Sequence, residues 1–202
     1  VAAALPSAAG PAGVPELALL ERAVAYTRWV LPATAGTDPT AATPCRGWTL
    51  HDLLVHMTDS LAALEEAGAR DQVEPSAAVT GYPRPSCPEL VGVLRDRACG
   101  LLAAWTQRGG EALVDVAGSP LRAGLVAATG ALEVTVHGWD LAQASGMADH
   151  RIPEPLAEDL LAYVPLLVGP GDRPVRFAAP VAPERPGAAA QLLADLGRRE
   201  AR

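Results

Sequence analysis

Glu133 and His137 stand four residues apart in Ala131-Leu-Glu-Val-Thr-Val-His-Gly-Trp-Asp-Leu141, a segment that is otherwise almost wholly apolar. On a helix, residues i and i+4 project from one face about one turn apart. A carboxylate and an imidazole therefore converge inside what reads as a buried helix. Burying a charge is costly unless a partner or a metal offsets it. A divalent cation held by Glu133 and His137 meets that requirement. So does an ordinary i,i+4 pair on a partly exposed face, worth a few tenths of a kcal/mol. Spacing alone leaves both readings open.

A metal site needs a third ligand. The chain has four histidines, His51, His56, His137 and His150, and no His-Glu-x-x-His motif. His51 and His56 are five apart, about 140° around a helix, so they do not face one ion together. His56 adjoins Met57 at the edge of the stripe Leu50, Leu53, Leu54, Met57, Leu61 and Leu64. It is the candidate third ligand, although a histidine at such an edge is ordinarily just satisfied or solvated. His51 reads as exposed. Asp52 and Asp140 lie within a turn of His56 and His137 and are candidates to accept the imidazole N–H groups. Two nitrogens and one oxygen leave a fourth position free, the pattern of an open zinc site, and other divalent ions also fit. Such an ion acts as a Lewis acid, or acidifies a bound water or thiol. Cys45 precedes a helix N-terminus, where the dipole lowers a thiol pKa. It equally reads as a small buried residue. Trp48, Trp105 and Trp139 read as core, and Arg95, Arg97, Arg198 and Arg199 as solvated faces.

The elements that must position these groups are helices. Val14–Leu31 has helical apolar spacing, stopped by Pro32. A second helix starts at Thr49, with Asp52 three residues on, and Gly68 ends it. Ser86-Cys-Pro-Glu89 caps a third, which runs to Arg108 and stops at Gly109-Gly110. Ser119-Pro120 opens a fourth that ends at Ser145-Gly146, and a fifth spans Pro153 to Val168 with Pro165 bending it. The stretch 169–187 is Pro-rich, with a short strand expected at Val175–Phe177 and a last helix at Gln191–Arg199. Period-2 patterns are nearly absent. The reading is an all-α four-helix bundle over residues 14–168, preceded by a disordered lead-in (1–13) and followed by an extension (169–202) that packs on the bundle.

The height of the ligands selects the topology. His56 lies about 10 Å from the start of its helix, and His137 about 12 Å from the end of its own. The two levels match only if the second and fourth helices are antiparallel, which requires an up-down-down-up bundle. That order needs a long crossover between the second and third helices. Ala69–Pro85 supplies it, since its 17 residues reach over ~50 Å against a helix of about 30 Å.

Composition narrows the class. A chain of 202 residues, half of them hydrophobic, suits one domain with a sizeable core. No apolar run is long enough to span a membrane, and Val1–Gly13 lacks the basic region of a signal peptide. A net charge of −7 argues against nucleic acid as a partner. Three cysteines without a CxxC pair fit a reducing cytoplasm. All 16 basic residues are Arg, with Lys and Asn absent. That bias fits a GC-rich bacterial genome rather than any demand of folding.

Thr43-Pro-Cys-Arg-Gly-Trp-Thr-Leu-His-Asp-Leu-Leu-Val-His56, followed far downstream by Glu133-Val-Thr-Val-His-Gly-Trp-Asp-Leu-Ala142, resembles the DinB-like superfamily. Within it, the chain is most similar to the actinobacterial branch that includes mycothiol-dependent maleylpyruvate isomerase. The tail, Phe177-Ala-Ala-Pro-Val and Leu192-Leu-Ala-Asp-Leu-Gly-Arg198, is similar too, so the likeness runs from about Glu16 to Arg199. The resemblance implies an up-down-down-up bundle and a divalent metal, usually zinc, on two histidines and a glutamate: His56, Glu133 and His137. It also implies an enzyme that uses a low-molecular-weight thiol, mycothiol above all, in S-transfer or isomerisation of a small-molecule substrate. The family's substrate-binding arginine is assigned to neither Arg84, Arg95 nor any other position here, so the resemblance does not select isomerisation, and the substrate stays open. The alternatives are a thiol-independent metal-dependent lyase, cyclase or hydrolase of secondary metabolism, and a non-catalytic bundle binding a small ligand or protein. A monomer or homodimer is expected.

Overall fold

The computed structural model describes residues 16–73, 84–106, 111–173 and 176–199 of the chain. In chain order the elements are α1 (Glu16–Arg28), α2 (Leu31–Ala35), α3 (Leu50–Arg70), β1 (Gln72–Val73), α4 (Cys87–Thr106), β2 (Leu113–Val116), β3 (Ser119–Arg122), α5 (Ala123–Ala144), α6 (Glu154–Leu161), α7 (Val164–Leu167) and α8 (Ala188–Asp195). The fold is an all-α bundle of α1, α3, α4 and α5. The expected lead-in, the Gly109-Gly110 stop and most of the crossover lie outside the described residues.

α5 is the central helix, because its sequence is apolar on nearly every side and such a helix must be surrounded. The positions left half-covered along its middle, Leu125, Thr129, Glu133 and His137, recur every four residues and form one strip. Side-chain contacts fix the directions of the helices around it. Glu16 lies by Gly124, Leu20 by Gly130, and Thr27 by Val134 and Gly138, so α1 and α5 are parallel. Leu64 lies by Gly130 and His56 by Glu133 and His137, so α3 is antiparallel to α5. His51 bonds to Pro85, Glu65 pairs with Arg97, and Gly68 packs on Trp105, so α4 is parallel to α3. The order is up, down, down, up.

Several local expectations are corrected. Pro32 lies in the first turn of α2 rather than stopping a helix, since Pro is tolerated where the N–H has no intrahelical partner; α1 has already ended at Arg28. Gly68 lies inside α3, which ends at Arg70 and is capped by Asp71 at φ 60°. Without a Cβ there, Trp105 comes close enough to donate Nε1–H to the Leu64 carbonyl at 2.9 Å. Ser119-Pro120 opens no helix. It lies in β3, which pairs antiparallel with β2 across the two-residue turn Ala117-Gly118, both at positive φ (51° and 82°). Pro120 is tolerated because β3 is an edge strand of the sheet β1-β2-β3. No strand forms at Arg176–Phe177, and residues 174–175 lie outside the description. The fifth helix breaks into α6 and α7 at Ala162-Tyr163, with Pro165 in the first turn of α7.

The last helix starts at Ala188, where the Glu154 carboxylate accepts from the Ala188 and Ala189 N–H groups at 2.6 and 3.2 Å. It stops at Asp195 because Gly197 turns left-handed (φ 76°). Gly197 N–H then bonds to Ala194 O (3.0 Å), and Arg198 N–H to Leu193 O (2.8 Å). This is a Schellman motif, and it fixes where Arg198 leaves the helix. Among the described residues no helix is long and apolar enough to cross a membrane.

The α1–α5 contact is close because Gly138 faces Thr27, whose hydroxyl donates to Val134 O at 2.8 Å. A Cβ at Gly138 would fall well inside contact distance of Thr27 Oγ1, whereas one at Gly92 meets nothing within 4 Å. Overpacking costs about 1–3 kcal/mol, against roughly 1 kcal/mol that Ala gains over Gly in a helix. Urea denaturation is expected to show Gly138→Ala destabilised and Gly92→Ala stabilised. The same sign for both would refute the close packing at Gly138.

Candidate metal centre

The loop before α3 is folded by its own backbone. Leu50 N–H bonds to Ala41 O (2.8 Å), Trp48 N–H to Cys45 O (3.0 Å), and Gly47 takes φ 81°. Thr49 caps α3, accepting from Asp52 N–H while the Asp52 carboxylate accepts from Thr49 N–H and Oγ1–H. This loop lays Cys45 and Trp48 over the half-covered strip of α5.

Glu133, His137 and His56 come together there. Glu133 Oε2 lies 3.2 Å from His137 Nε2 and 3.7 Å from His56 Nε2. The two imidazoles meet edge to face, with centroids 4.9 Å apart. One donor atom from each residue can be chosen so that all three lie within 4.8 Å of one another. Ligands on a tetrahedral ion with bonds of ~2.1 Å sit about 3.4 Å apart, and the two observed contacts bracket that value. Burial pushes the Glu133 carboxyl up, but hydrogen bonds from His137 and His56 outweigh it and hold the group well below the usual carboxylate range.

His137 uses its other nitrogen on Asp140, with Nδ1 2.9 Å from Oδ2. Asp140 has no exposed surface. Burial raises its pKa, but the Arg198 charge, followed by the His137 hydrogen bond, overcomes this and holds it well below the usual range. Arg198 grips both carboxylate oxygens, Nε to Oδ1 at 2.9 Å and Nη2 to Oδ2 at 2.7 Å. Cys45 Sγ donates to Asp140 Oδ2 at 3.1 Å and lies 3.5 Å from Arg198 Nη2. Cys45, His137 and Asp140 thus form a second set of potential ligands. It is a poor cation site, because the Arg198 guanidinium already supplies the positive charge there. Among the described residues no such cation pairs with the set His56, Glu133 and His137, and its donor chemistry fits a divalent ion.

The other candidates are placed as follows. Asp52 does not reach His56; its carboxylate is turned back into the Thr49 cap and paired with Arg84 at 3.1 Å. His51 is half-buried rather than exposed, with Nε2 on Pro85 O at 2.8 Å. His150 stacks on Tyr26, away from the cluster. Trp105 and Trp139 are core, but Trp48 lies on the rim, 37% exposed, with its ring 4.8 Å from His56 and 6.3 Å from His137. Arg198, expected on a solvated face, is buried. Its pairing with Asp140 leaves no local pattern, and the only nearby signal is Gly197, a helix stop that directs the next residue back onto the bundle.

Burial lowers the pKa of His137, but hydrogen bonds to Asp140, Cys45 and Glu133 raise it well above its ordinary value. In the metal-free protein this contributes stability that is fully present below about pH 6.5, the unfolded value, and is lost as pH rises through the folded one. Thermal unfolding of metal-free wild type and His137→Gln should therefore differ most in mildly acidic solution and converge at alkaline pH. A gap that widens with pH would overturn this assignment.

Comparison with known proteins identifies the bundle. The family model of the mycothiol maleylpyruvate isomerase N-terminal domain matches residues 20–142, from within α1 to the last turn of α5. An uncharacterized protein of Mycobacterium tuberculosis, matched in the CDC 1551 / Oshkosh and H37Rv strains, is 32% identical over 163 residues, covering 77% of this chain and 82% of its own. No solved structure matches the chain significantly. The chain belongs to the mycothiol maleylpyruvate isomerase N-terminal domain family, a DinB-like helical bundle.

Proposed function

We propose that this protein is a metal-dependent enzyme that uses a low-molecular-weight thiol, mycothiol, in S-transfer or isomerisation of a small substrate. The observation that carries the reading is the convergence of two imidazole nitrogens and one carboxylate oxygen from α3 and α5 on one half-covered spot. His56, Glu133 and His137 would hold a divalent ion, and their N, N, O set suits zinc with a position left for a small ligand. An ion bound there supplies Lewis acidity, which favours the thiolate of a coordinated thiol over the thiol itself.

The protein's own residues prepare that spot. Glu133 supplies the negative charge among the donors, and the two histidines keep it ionised. Asp140 accepts from His137 Nδ1 and so keeps the proton on that nitrogen, which would leave Nε2, beside Glu133, free to give up its own proton to a bound ion. Trp48 covers part of both imidazoles and restricts water there, while its exposed portion lines the approach.

The test is elemental analysis of untagged protein beside Glu133→Ala and His56→Ala. Wild type should carry close to one metal ion per chain. Each variant should lose affinity by more than the roughly 10–100-fold that follows removal of an outer hydrogen-bond partner. Turnover of electrophilic substrates should then require added mycothiol. Turnover without a thiol would replace this reading with a lyase, cyclase or hydrolase, and a wild type that takes up no metal would leave a binding bundle.

The two ligand sets are told apart by cobalt substitution. The cobalt-loaded protein should show ligand-field bands without sulfur-to-metal charge-transfer absorption, and Cys45→Ser should leave the spectrum unchanged. A charge-transfer band lost in Cys45→Ser would move the ion to the Cys45 side.

A further inference from the structure

Arg198 lies well beyond residues 20–142, the part that matches the family model, yet it is built into the candidate metal centre. Its side chain is only 9% exposed and Asp140's is 0%. A buried ion pair is a poor source of stability compared with apolar packing, because both ions give up their hydration. The geometry suggests what the pair does. Asp140 Oδ2 accepts from His137 Nδ1 (2.9 Å), Arg198 Nη2 (2.7 Å) and Cys45 (3.1 Å), and Oδ1 accepts from Arg198 Nε (2.9 Å). With both oxygens gripped by one planar guanidinium, the carboxylate cannot rotate. The imidazole bonded to it is then held with Nε2 toward Glu133 and His56. Arg198 itself is aimed by the Schellman turn after α8, and α8 is anchored by Glu154 at its other end.

We propose that Arg198 is a positioning residue for His137, acting through Asp140, so that docking of the C-terminal segment and metal binding are coupled. This rests on His56, Glu133 and His137 being the metal ligands. A coupling between two binding events is reciprocal. Metal should hold residues 188–198 on the bundle by the same factor by which the docked Arg198 strengthens metal binding.

Zinc affinity is measured by competition with a chromophoric chelator in wild type, Arg198→Met, Asp140→Asn and the double variant. Each single change is expected to weaken binding roughly 10–100-fold, with the double no weaker than Asp140→Asn. Arg198→Lys, which keeps the charge but not the fork, should recover part of the loss. The cobalt ligand-field spectrum should shift in Arg198→Met; a residue that only stabilised the fold would leave it unchanged. In wild type, zinc should slow amide hydrogen exchange in Ala188–Asp195, a readout that needs no variant to fold. If wild type binds zinc and Arg198→Met binds it equally well, or the two losses add, the positioning role is overturned while the metal assignment stands. Exchange in α8 that ignores zinc likewise overturns the coupling. If wild type binds no metal at all, the metal assignment fails and this inference with it.

Discussion

The constraint on which the structure depends is that α5 must be buried on almost every side while carrying Glu133, His137 and Asp140. An uncompensated charge in such a place is far more costly than any single apolar contact is favourable. Each group therefore imposes a partner on another part of the chain. Asp140 draws in Arg198 from beyond α8, and Glu133 draws in His56 from α3. The bundle is arranged around these demands as much as around its leucines.

Topology follows from the same demand. His56 can meet Glu133 and His137 only if α3 runs against α5, and α4 then lies parallel to α3. Parallel neighbours in a bundle need a long connection. Small residues complete the arrangement. Gly124, Gly130 and Gly138 repeat along α5 where Glu16, Leu20 with Leu64, and Thr27 approach. The position of Glu133 is thus set by backbone-level contacts on both sides of its helix rather than by a flexible loop.

What was legible in the sequence was whatever leaves a local period or a length. The stripe of α3, the Thr49–Asp52 cap and the ligand heights together specified antiparallel α3 and α5. Asp52 shows the limit of such reading: the cap that made the helix start visible also consumed the carboxylate, leaving it unable to serve His56. Ser119-Pro120 resembled a helix start because Ser and Pro favour both that position and an edge strand. The turn Ala117-Gly118 that decides between them is only two residues long. Arg198 was illegible for a different reason. Its partner lies 58 positions away, and a buried arginine is recognisable only once the carboxylate that requires it has been placed.

His137 joins two carboxylates of different surroundings through the two nitrogens of one ring. On the Nδ1 side, Asp140 faces a permanent cation, Arg198, and the pair is close to neutral. On the Nε2 side, Glu133 pairs with the imidazoles of His56 and His137. With both histidines neutral, the whole cluster carries a single net negative charge, contributed by Glu133. With Arg198, a divalent ion at His56, Glu133 and His137 leaves one positive charge in a half-buried setting, where charges are weakly screened. An anionic ligand is then favoured over its protonated form. Under the proposed reading, that would be the electrostatic condition for holding a thiol as thiolate, with Arg198, outside the three proposed ligands, helping to set it.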